Sequence, residues 1–227
     1  MLKKAYKSID RAYGRYAIAR CGFWFVDIPR TSSSSIRAEL GKRFGRVYGK
    51  KKIPEKDYAL KQVFPDHMLA KEMRALLGTS IWNSVFTFTI VRNPWDRTFS
   101  MYNYRLMERS VPQDWSFRDY VMALKNAASD TEHFKFNGHY YGASEYVLGE
   151  NGDIIVDFIA KYENRTHDLK LIASRLDIDE FGTLNILSAS PDNRHYSEFY
   201  DPETREIIRR LYTKDIELFG YEFDDES

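Results

Sequence analysis

Two segments of the chain place cationic and hydroxyl side chains directly after hydrophobic runs of β type. The first segment, residues 29–36, reads PRTSSSSI and follows the aromatic run of residues 22–28. The backbone N–H groups at a helix start point outward with the positive end of the helix dipole, so they hold a phosphate or sulfate well. Serine hydroxyls and the planar guanidinium of Arg30 add further donors. The segment therefore predicts an anion cradle built from Arg30, Thr31, Ser32, Ser33, Ser34 and Ser35.

The alternative for this segment is a simple helix cap, because serine is a preferred N-cap residue. One serine is enough for a cap, whereas four stand here behind Pro-Arg-Thr. The segment is also not a Walker A loop, which needs two glycines and a lysine at fixed spacing. No glycine lies between Gly22 and Gly41.

The second segment, residues 91–100, reads VRNPWDRTFS and repeats this arrangement after the β-branched run of residues 85–91. Asn93 is a suitable N-cap, and the proline after it fits the first helical position. Arg92 lies where the strand ends, with Arg97 and Ser100 on one side of the following helix. A second anionic group could be held there. The alternative is a surface Arg92 paired with Asp96.

Strands alternating with helices predict an α/β fold, in which a central, mostly parallel sheet is flanked by helices. In such three-layer sheets ligands bind at the carboxyl ends of the strands, where both segments fall. The predicted strands cover residues 22–28, 85–91 and 153–160. The predicted helices are a short one carrying Ile36 and Leu40, then residues 66–77 (capped by Asp66), 116–127, 166–176 and 202–219, with an exposed loop over 41–57.

The length of 227 residues fits a single domain, 1–227, with residues 1–21 as a basic helical or extended N-terminal segment. Residues 1–61 hold sixteen Lys or Arg against five Asp or Glu, a net charge of +11. The whole chain carries +1, so the remainder carries −10. This asymmetry favours an anionic ligand near the N-terminal third.

Cysteine content and hydropathy narrow the class of protein. The single cysteine, Cys21, excludes an intramolecular disulfide framework and a cysteine-based zinc site. The basic N-terminus is not followed by an apolar run, and no stretch reaches the ~20 apolar residues of a membrane span. We therefore expect a cytoplasmic protein, or the trimmed catalytic domain of a larger one, without a transmembrane segment.

At these two segments the sequence resembles the carbohydrate-type (family 2) sulfotransferases, including the heparan 2-O-sulfating enzymes and their bacterial relatives. The family's Pro-Lys-Thr-Gly-Ser/Thr-Ser/Thr-Ser loop, which binds a 5′-phosphosulfate, corresponds to residues 29–35. Its Arg-x-Pro…Ser segment, which binds a 3′-phosphate, corresponds to Arg92, Pro94 and Ser100. Two departures stand out: Arg30 replaces the usual Lys, and Ser32 replaces the usual Gly, whose left-handed backbone would strain a serine.

The resemblance continues to about residue 223. Residues 157–164 read DFIAKYEN and look like the family's Asp-Phe-Ile-x-Arg-x-Glu-Asn strand, with Lys161 where Arg is usual. Arg194 lies where relatives have a basic loop that closes over the donor. The C-terminal part is similar to the family's final helix at Tyr200, Asp201, Tyr212, Asp215, Phe219, Gly220 and Tyr221.

The resemblance implies a P-loop-like enzyme that moves the sulfuryl group of 3′-phosphoadenosine-5′-phosphosulfate (PAPS) to a hydroxyl on a glycan or glycolipid, without a metal or nucleic-acid partner. Arg30 would stabilise the leaving phosphate, and His67 would be the catalytic base. A base must be largely neutral at cellular pH, which suits histidine. The alternative histidines are His133, His139, His167 and His195.

Two rival functions remain open on the sequence. A nucleotide or small-molecule kinase would also bind phosphates, but the Walker loop is missing. A non-catalytic anion-binding module would use the basic N-terminal third and would bind with a steep salt dependence.

Overall fold

The computed structural model describes residues 14–44, 67–129, 141–181 and 194–224. Their chain path forms two compact units. The first is built from the described parts of Met1–Val91 and Glu145–Leu187, and the second from those of Arg92–Ser144 and Ser188–Ser227. Each unit is described by itself.

The first unit is built on a parallel sheet of three strands among the residues described: β1 (Phe23–Val26), β2 (Phe86–Val91) and β3 (Phe158–Lys161). The order is β1-β2-β3, with β2 in the centre. Phe88 of β2 is opposite Phe25 on one side and Phe158 on the other. The strands are rich in aromatic and β-branched residues, which suit a sheet buried between helices. The predicted α/β class, a parallel sheet flanked by helices, is confirmed.

Helices connect these strands. Residues 14–21 are helical (α1), and the other helices with residues in this unit are α2 (Ser33–Phe44), α3 (Ala70–Leu77), α4 (Thr79–Trp82), α7 (Ala143–Val147) and α8 (Arg165–Arg175). Ile36 and Leu40 of α2 are fully buried, as their spacing of four predicts. Burying each such side chain stabilises the fold by about 1.5–3 kcal/mol. The face of α2 that carries Ile36 and Leu40 is thus packed in the core.

Asp157 fixes the position of β3 against β2. Its Oδ2 accepts hydrogen bonds from the backbone N–H of Thr87 at 2.8 Å and from the Thr87 hydroxyl at 2.7 Å. The Asp157 N–H donates in turn to that hydroxyl at 2.9 Å. The aspartate of the DFI motif is therefore a structural residue in this chain.

The second unit is helical in its described part and has an aromatic core. Its helices are α5 (Pro94–Met107), α6 (Phe117–Ser129), a 3-10 turn (Tyr196–Phe199), α9 (Pro202–Leu211) and α10 (Thr213–Phe219). The core residues come from all of these except α10: Trp95, Phe99, Met101, Phe117, Tyr120, Val121, Leu124, Tyr196, Ile207, Ile208 and Tyr212. Aromatic pairs such as Phe99 and Phe199, with ring centroids 4.2 Å apart, join the helices.

Several predicted boundaries are wrong, each for a local reason. The helix predicted over 66–77 begins at Ala70, because His67 has a left-handed φ of 63° and Leu69 is extended. Asp66 lies outside the described residues. The helix predicted over 202–219 is broken at Tyr212, whose φ of −117° is not helical.

Two further segments differ from the prediction. The strand predicted over 153–160 is shorter, because Ile154 pairs with Leu148 in an isolated antiparallel bridge. The predicted loop 41–57 begins later, since residues 41–44 continue α2, and the rest of that loop lies outside the described residues. Within the described part of the chain, no helix has the length and apolar character needed to cross a membrane.

Candidate active site

The turn between β1 and α2 has an unusual backbone. Arg30 and Ser32 both lie in the left-handed region, at φ 67° and 69°. A non-glycine residue in this region costs about 1–2 kcal/mol. The carbonyl of Ser32 accepts the N–H groups of Ser35 at 3.0 Å and Ile36 at 3.1 Å, so α2 begins at Ser33. The turn is therefore followed directly by the N-terminus of α2, as predicted. Ser32 occupies the position where the resemblance implies glycine.

The hydroxyls of this turn have different surroundings. The Thr31 hydroxyl is buried and donates to the Ile28 carbonyl at 2.9 Å, so it closes the turn itself. Ser33 is also buried, and its hydroxyl bonds to the carboxylate of Asp27. Ser35 is buried, whereas Ser34 is exposed. Of the four predicted serine donors, Ser34 is exposed, Ser32 is partly exposed, and the other two are buried.

A second arginine reaches this turn from a distant part of the sequence. Arg165 opens α8, which follows β3, and its Nη1 donates to the Ser32 hydroxyl at 3.0 Å. Strands β1 and β3 run parallel on either side of β2, so the turns after them lie at the same edge of the sheet. The structure thus adds Arg165 to the predicted set.

His67 is held by Asp27, the residue that follows β1. Its Nδ1 lies 3.1 Å from the Asp27 carbonyl oxygen and 3.3 Å from the carboxylate Oδ1. The other carboxylate oxygen of Asp27 accepts from Arg37 Nη1 at 2.5 Å. A carbonyl oxygen can only accept, so Nδ1 carries the proton and donates it. In the neutral imidazole the lone pair is then on Nε2, the nitrogen that a general base would use.

The pKa values of the pair are shifted in opposite directions. Burial lowers the pKa of His67, but its hydrogen bonds with Asp27 and the charge of that carboxylate outweigh burial, so the pKa is raised above 6.5. Burial raises the pKa of Asp27, yet His67 and Arg37 hold it at about 2. Asp27 is therefore ionised throughout the physiological range, and it stabilises the imidazolium that forms when His67 takes a proton.

Two of the other candidate histidines are described, and two lie outside the described residues. His167 is mostly exposed, and its Nδ1 lies 3.1 Å from Asp168. His195 Nδ1 lies 2.8 Å from the hydroxyl of Ser197. His133 and His139 fall outside the described part of the chain. Both His67 and His167 contact a buried carboxylate, but the His67 side chain is 25% exposed and that of His167 is 65% exposed.

In the second unit, Arg92 is fixed by a bidentate ion pair. Its Nε and Nη2 donate to the two carboxylate oxygens of Asp96 at 2.6 and 2.7 Å. Both residues are largely buried by their surroundings, so the pair is more ordered than a surface contact. The pairing anticipated as the alternative for Arg92 is therefore present. Asp96 therefore orients the guanidinium of Arg92.

Two other residues of the VRNPWDR motif, Asn93 and Arg97, hold the second unit together. Asn93 caps α5 by accepting the N–H of Trp95 at 3.1 Å, as predicted, and donates to the Glu222 carbonyl at 2.8 Å. Arg97 is buried and donates to the Tyr141 carbonyl at 2.8 Å, with Asp215 3.9 Å away. The guanidinium of Arg97 thus contacts a backbone carbonyl and lies near a buried carboxylate within the second unit.

Ser100 and Arg194, two further predicted residues, both belong to the second unit. The guanidinium of Arg194 lies 4.4 Å from the ring centroid of Phe199, which stacks on Phe99, the neighbour of Ser100 in α5. Ser100 itself is buried. These two predicted residues thus lie in one unit, while the turn and His67 belong to the other.

Sequence reasoning missed Asp27, Arg37 and Arg165. Asp27 could have been identified from the sequence, because a charged residue at the end of a buried strand and next to a cationic turn is typical of a functional site. Arg37 could also have been identified from the sequence, since it lies one helical turn after Ser33 on α2. No sequence pattern could have identified Arg165, because 133 residues separate it from Ser32.

The parallel sheet, the strand-to-helix turn and the histidine on a buried carboxylate are typical of an α/β enzyme whose site lies at the carboxyl ends of the strands. The profile of the Sulfotransferase family matches residues 19–222, which is most of the chain. The chain therefore belongs to the Sulfotransferase family and is an enzyme of that class. Members of this family generally take the sulfuryl group from PAPS.

One curated relative is similar over a shorter region. An uncharacterized protein of Archaeoglobus fulgidus is 28% identical over 128 residues, which cover 56% of this chain and 96% of that protein. No solved structure matches the chain.

Proposed function

We propose that this enzyme transfers the sulfuryl group of PAPS to an acceptor hydroxyl, with His67 as the general base. The observation that carries the proposal is the His67–Asp27 pair, formed in the same unit as the β1–α2 turn. Asp27 is the first residue of that turn and also contacts Ser33 at the start of α2. The base and the anion cradle are therefore parts of one connected arrangement.

In the proposed reaction, the acceptor oxygen attacks the sulfur of PAPS in line with the leaving phosphate. The new S–O bond forms as the bond between sulfur and the bridging phosphate oxygen breaks, and its electron pair stays on the 5′-phosphate. The acceptor proton moves to Nε2 of His67. The products are the sulfated acceptor, adenosine 3′,5′-bisphosphate and an imidazolium, which later releases its proton to solvent.

The turn supplies the charge stabilisation that this step needs. Arg30 is the candidate for binding the leaving phosphate, and the N–H groups at the start of α2, with Ser34, are candidates for the other oxygens of the phosphosulfate. Such preorganised donors typically lower a barrier by a few kcal/mol each, about 3 kcal/mol for one. Thr31 and Ser33 act through the backbone, because their hydroxyls are engaged by Ile28 and Asp27.

For the 3′-phosphate of the donor, the proposed residues are Arg92, Ser100 and Arg194. The support comes from the family resemblance of the RNP segment and from the ion pair that orients Arg92. For the acceptor, the resemblance to carbohydrate-type members supports a hydroxyl of a glycan or glycolipid.

The proposal is tested by incubating the purified chain with donor carrying ³⁵S in the sulfuryl group and a panel of oligosaccharides and glycolipids. We expect label to move to at least one acceptor, with release of one adenosine 3′,5′-bisphosphate for each label transferred. A His67→Ala sample is the matched control, and it should leave the label on the donor. Absence of transfer to every acceptor, together with no binding of the bisphosphate, would contradict the proposal.

A further inference from the structure

Arg165 and Ser32 form a contact that joins the turns after β3 and β1. Nη1 of Arg165 donates to the Ser32 hydroxyl at 3.0 Å, and both side chains are partly buried. The guanidinium also lies over the ring of Tyr162, 4.9 Å from its centroid. Two contacts in different directions hold the flat group in one orientation at the sheet edge.

The serine in this contact is kept at an energetic cost. Ser32 has a φ of 69°, which glycine adopts freely and serine adopts at a cost of about 1–2 kcal/mol. A glycine would remove the strain but would also remove the hydroxyl that Arg165 binds. Ser32 therefore departs from the preference for glycine at a positive φ, and its side chain has a specific partner. Such departures are typical of functional sites.

The charge of Arg165 is available for an anion. Within the described residues its guanidinium makes one hydrogen bond, to an uncharged hydroxyl, and it pairs with no carboxylate. A guanidinium has five N–H donors, so most of its hydrogen-bonding capacity remains. A cation fixed this way beside an anion-binding turn has a position and a charge suited to phosphate or sulfate oxygens.

We propose that Arg165 binds the 5′-phosphosulfate of the donor and that Ser32 is the residue that positions it. This assignment rests on the proposed function, because it names a further ligand of the same donor. Arg165 acts beside Arg30, so the turn presents two guanidinium groups to the 5′ end of the nucleotide. The serine at position 32 and the arginine at position 165 then work as a pair.

The test is isothermal titration of the purified chain with two ligands, adenosine 3′,5′-bisphosphate and 3′-AMP, which lacks the 5′-phosphate. Arg165→Ala should weaken binding of the bisphosphate by at least about tenfold, the loss typical of one charged hydrogen bond. The same change should leave the affinity for 3′-AMP as in the wild type. Arg165→Lys should recover part of the lost affinity.

The control variant is Lys170→Ala, which removes one positive charge from an exposed position on the same helix and should change neither affinity. Ser32→Ala should weaken the bisphosphate severalfold, and its effect should not add to that of Arg165→Ala, because both changes remove one interaction. Circular dichroism confirms that each variant is folded.

Three outcomes overturn the assignment. Unchanged bisphosphate affinity in Arg165→Ala would remove this residue from the site, and an equal loss for both ligands would show a general structural effect. In either case binding by the wild type leaves the proposed function standing. Failure of the wild type to bind the bisphosphate at all would overturn the proposed function, and the role of Arg165 with it.

Discussion

The partly buried imidazole of His67 and the buried carboxylate of Asp27 form a pair in which Nδ1 lies 3.3 Å from Oδ1 and 3.1 Å from the Asp27 carbonyl oxygen. The two residues are 40 positions apart in the sequence, and His67 has a left-handed φ of 63°. Because Arg37 binds the other carboxylate oxygen, Asp27 is itself held in place. The pair therefore has the two features of an oriented general base: a fixed tautomer and a neighbouring negative charge.

Replacing His67 by alanine should abolish turnover and leave donor binding intact. General bases contribute about 10²–10⁴-fold to a rate, so kcat should fall by that factor. The measurement is steady-state kinetics beside a titration with adenosine 3′,5′-bisphosphate. Turnover at the wild-type rate in His67→Ala would move the base to another residue.

Replacing Asp27 by asparagine should shift the pH profile of the reaction. The base must be neutral, so the rate falls as the pH drops through the pKa of His67, which Asp27 raises above 6.5. Removing the negative charge lowers that pKa, and the acid limb of log kcat against pH should move to lower pH. The maximal rate should also fall by tenfold or more, because the imidazolium loses its partner. An acid limb at the wild-type pH would show that Asp27 does not act on the titrating group.

Replacing Ser32 by glycine should weaken the donor site while it changes the stability of the fold little. Relief of the left-handed strain, about 1–2 kcal/mol, offsets the entropic cost of a glycine in the unfolded chain, about 0.5–1 kcal/mol, and the loss of the hydrogen bond from Arg165, about 0.5–1.5 kcal/mol. Tm should therefore stay within roughly 4 °C of the wild-type value. Ser34→Gly, at an exposed position of the first turn of α2, is the contrasting variant and should lower Tm.

Replacing Arg92 by alanine should weaken adenosine 3′,5′-bisphosphate by more than roughly tenfold, because a charged hydrogen bond to the 3′-phosphate is lost. The affinity for 5′-AMP, which has no 3′-phosphate, should change little. Asp96→Asn tests the orienting ion pair, and it should give a smaller loss with the same ligand selectivity. Equal affinity of Arg92→Ala and the wild type for the bisphosphate would refute the assignment.

Local patterns were sufficient to predict most of the elements. The β-branched run of residues 85–91 predicted β2 within one residue, and the Asn93-Pro94 start of α5 was predicted from capping chemistry alone. Errors arose where one residue leaves the regular geometry, as at Tyr212, which breaks a helix whose apolar spacing continues through it. Such breaks depend on tertiary packing, which overrides local propensity.

The site was predicted less completely than the fold. The cradle residues and His67 followed from turn chemistry and from resemblance, because both are encoded in neighbouring residues. Arg165 and the interior role of Arg97 were not predicted, since each depends on a contact between distant segments, Arg165 with Ser32 and Arg97 with Tyr141. No periodicity in one sequence encodes which distant side chains meet.

The most direct test of the account is a thermal-shift titration with adenosine 3′,5′-bisphosphate, with 5′-AMP, 3′-AMP and ATP–magnesium as comparison ligands. A ligand at a hundred times its Kd stabilises a fold by about 2.7 kcal/mol, or roughly 5–10 °C for a chain of this size. The account predicts a shift of that size with the bisphosphate and smaller shifts with the others. No shift with the bisphosphate, or a larger one with ATP–magnesium, would contradict the assignment of the two turns as a PAPS site.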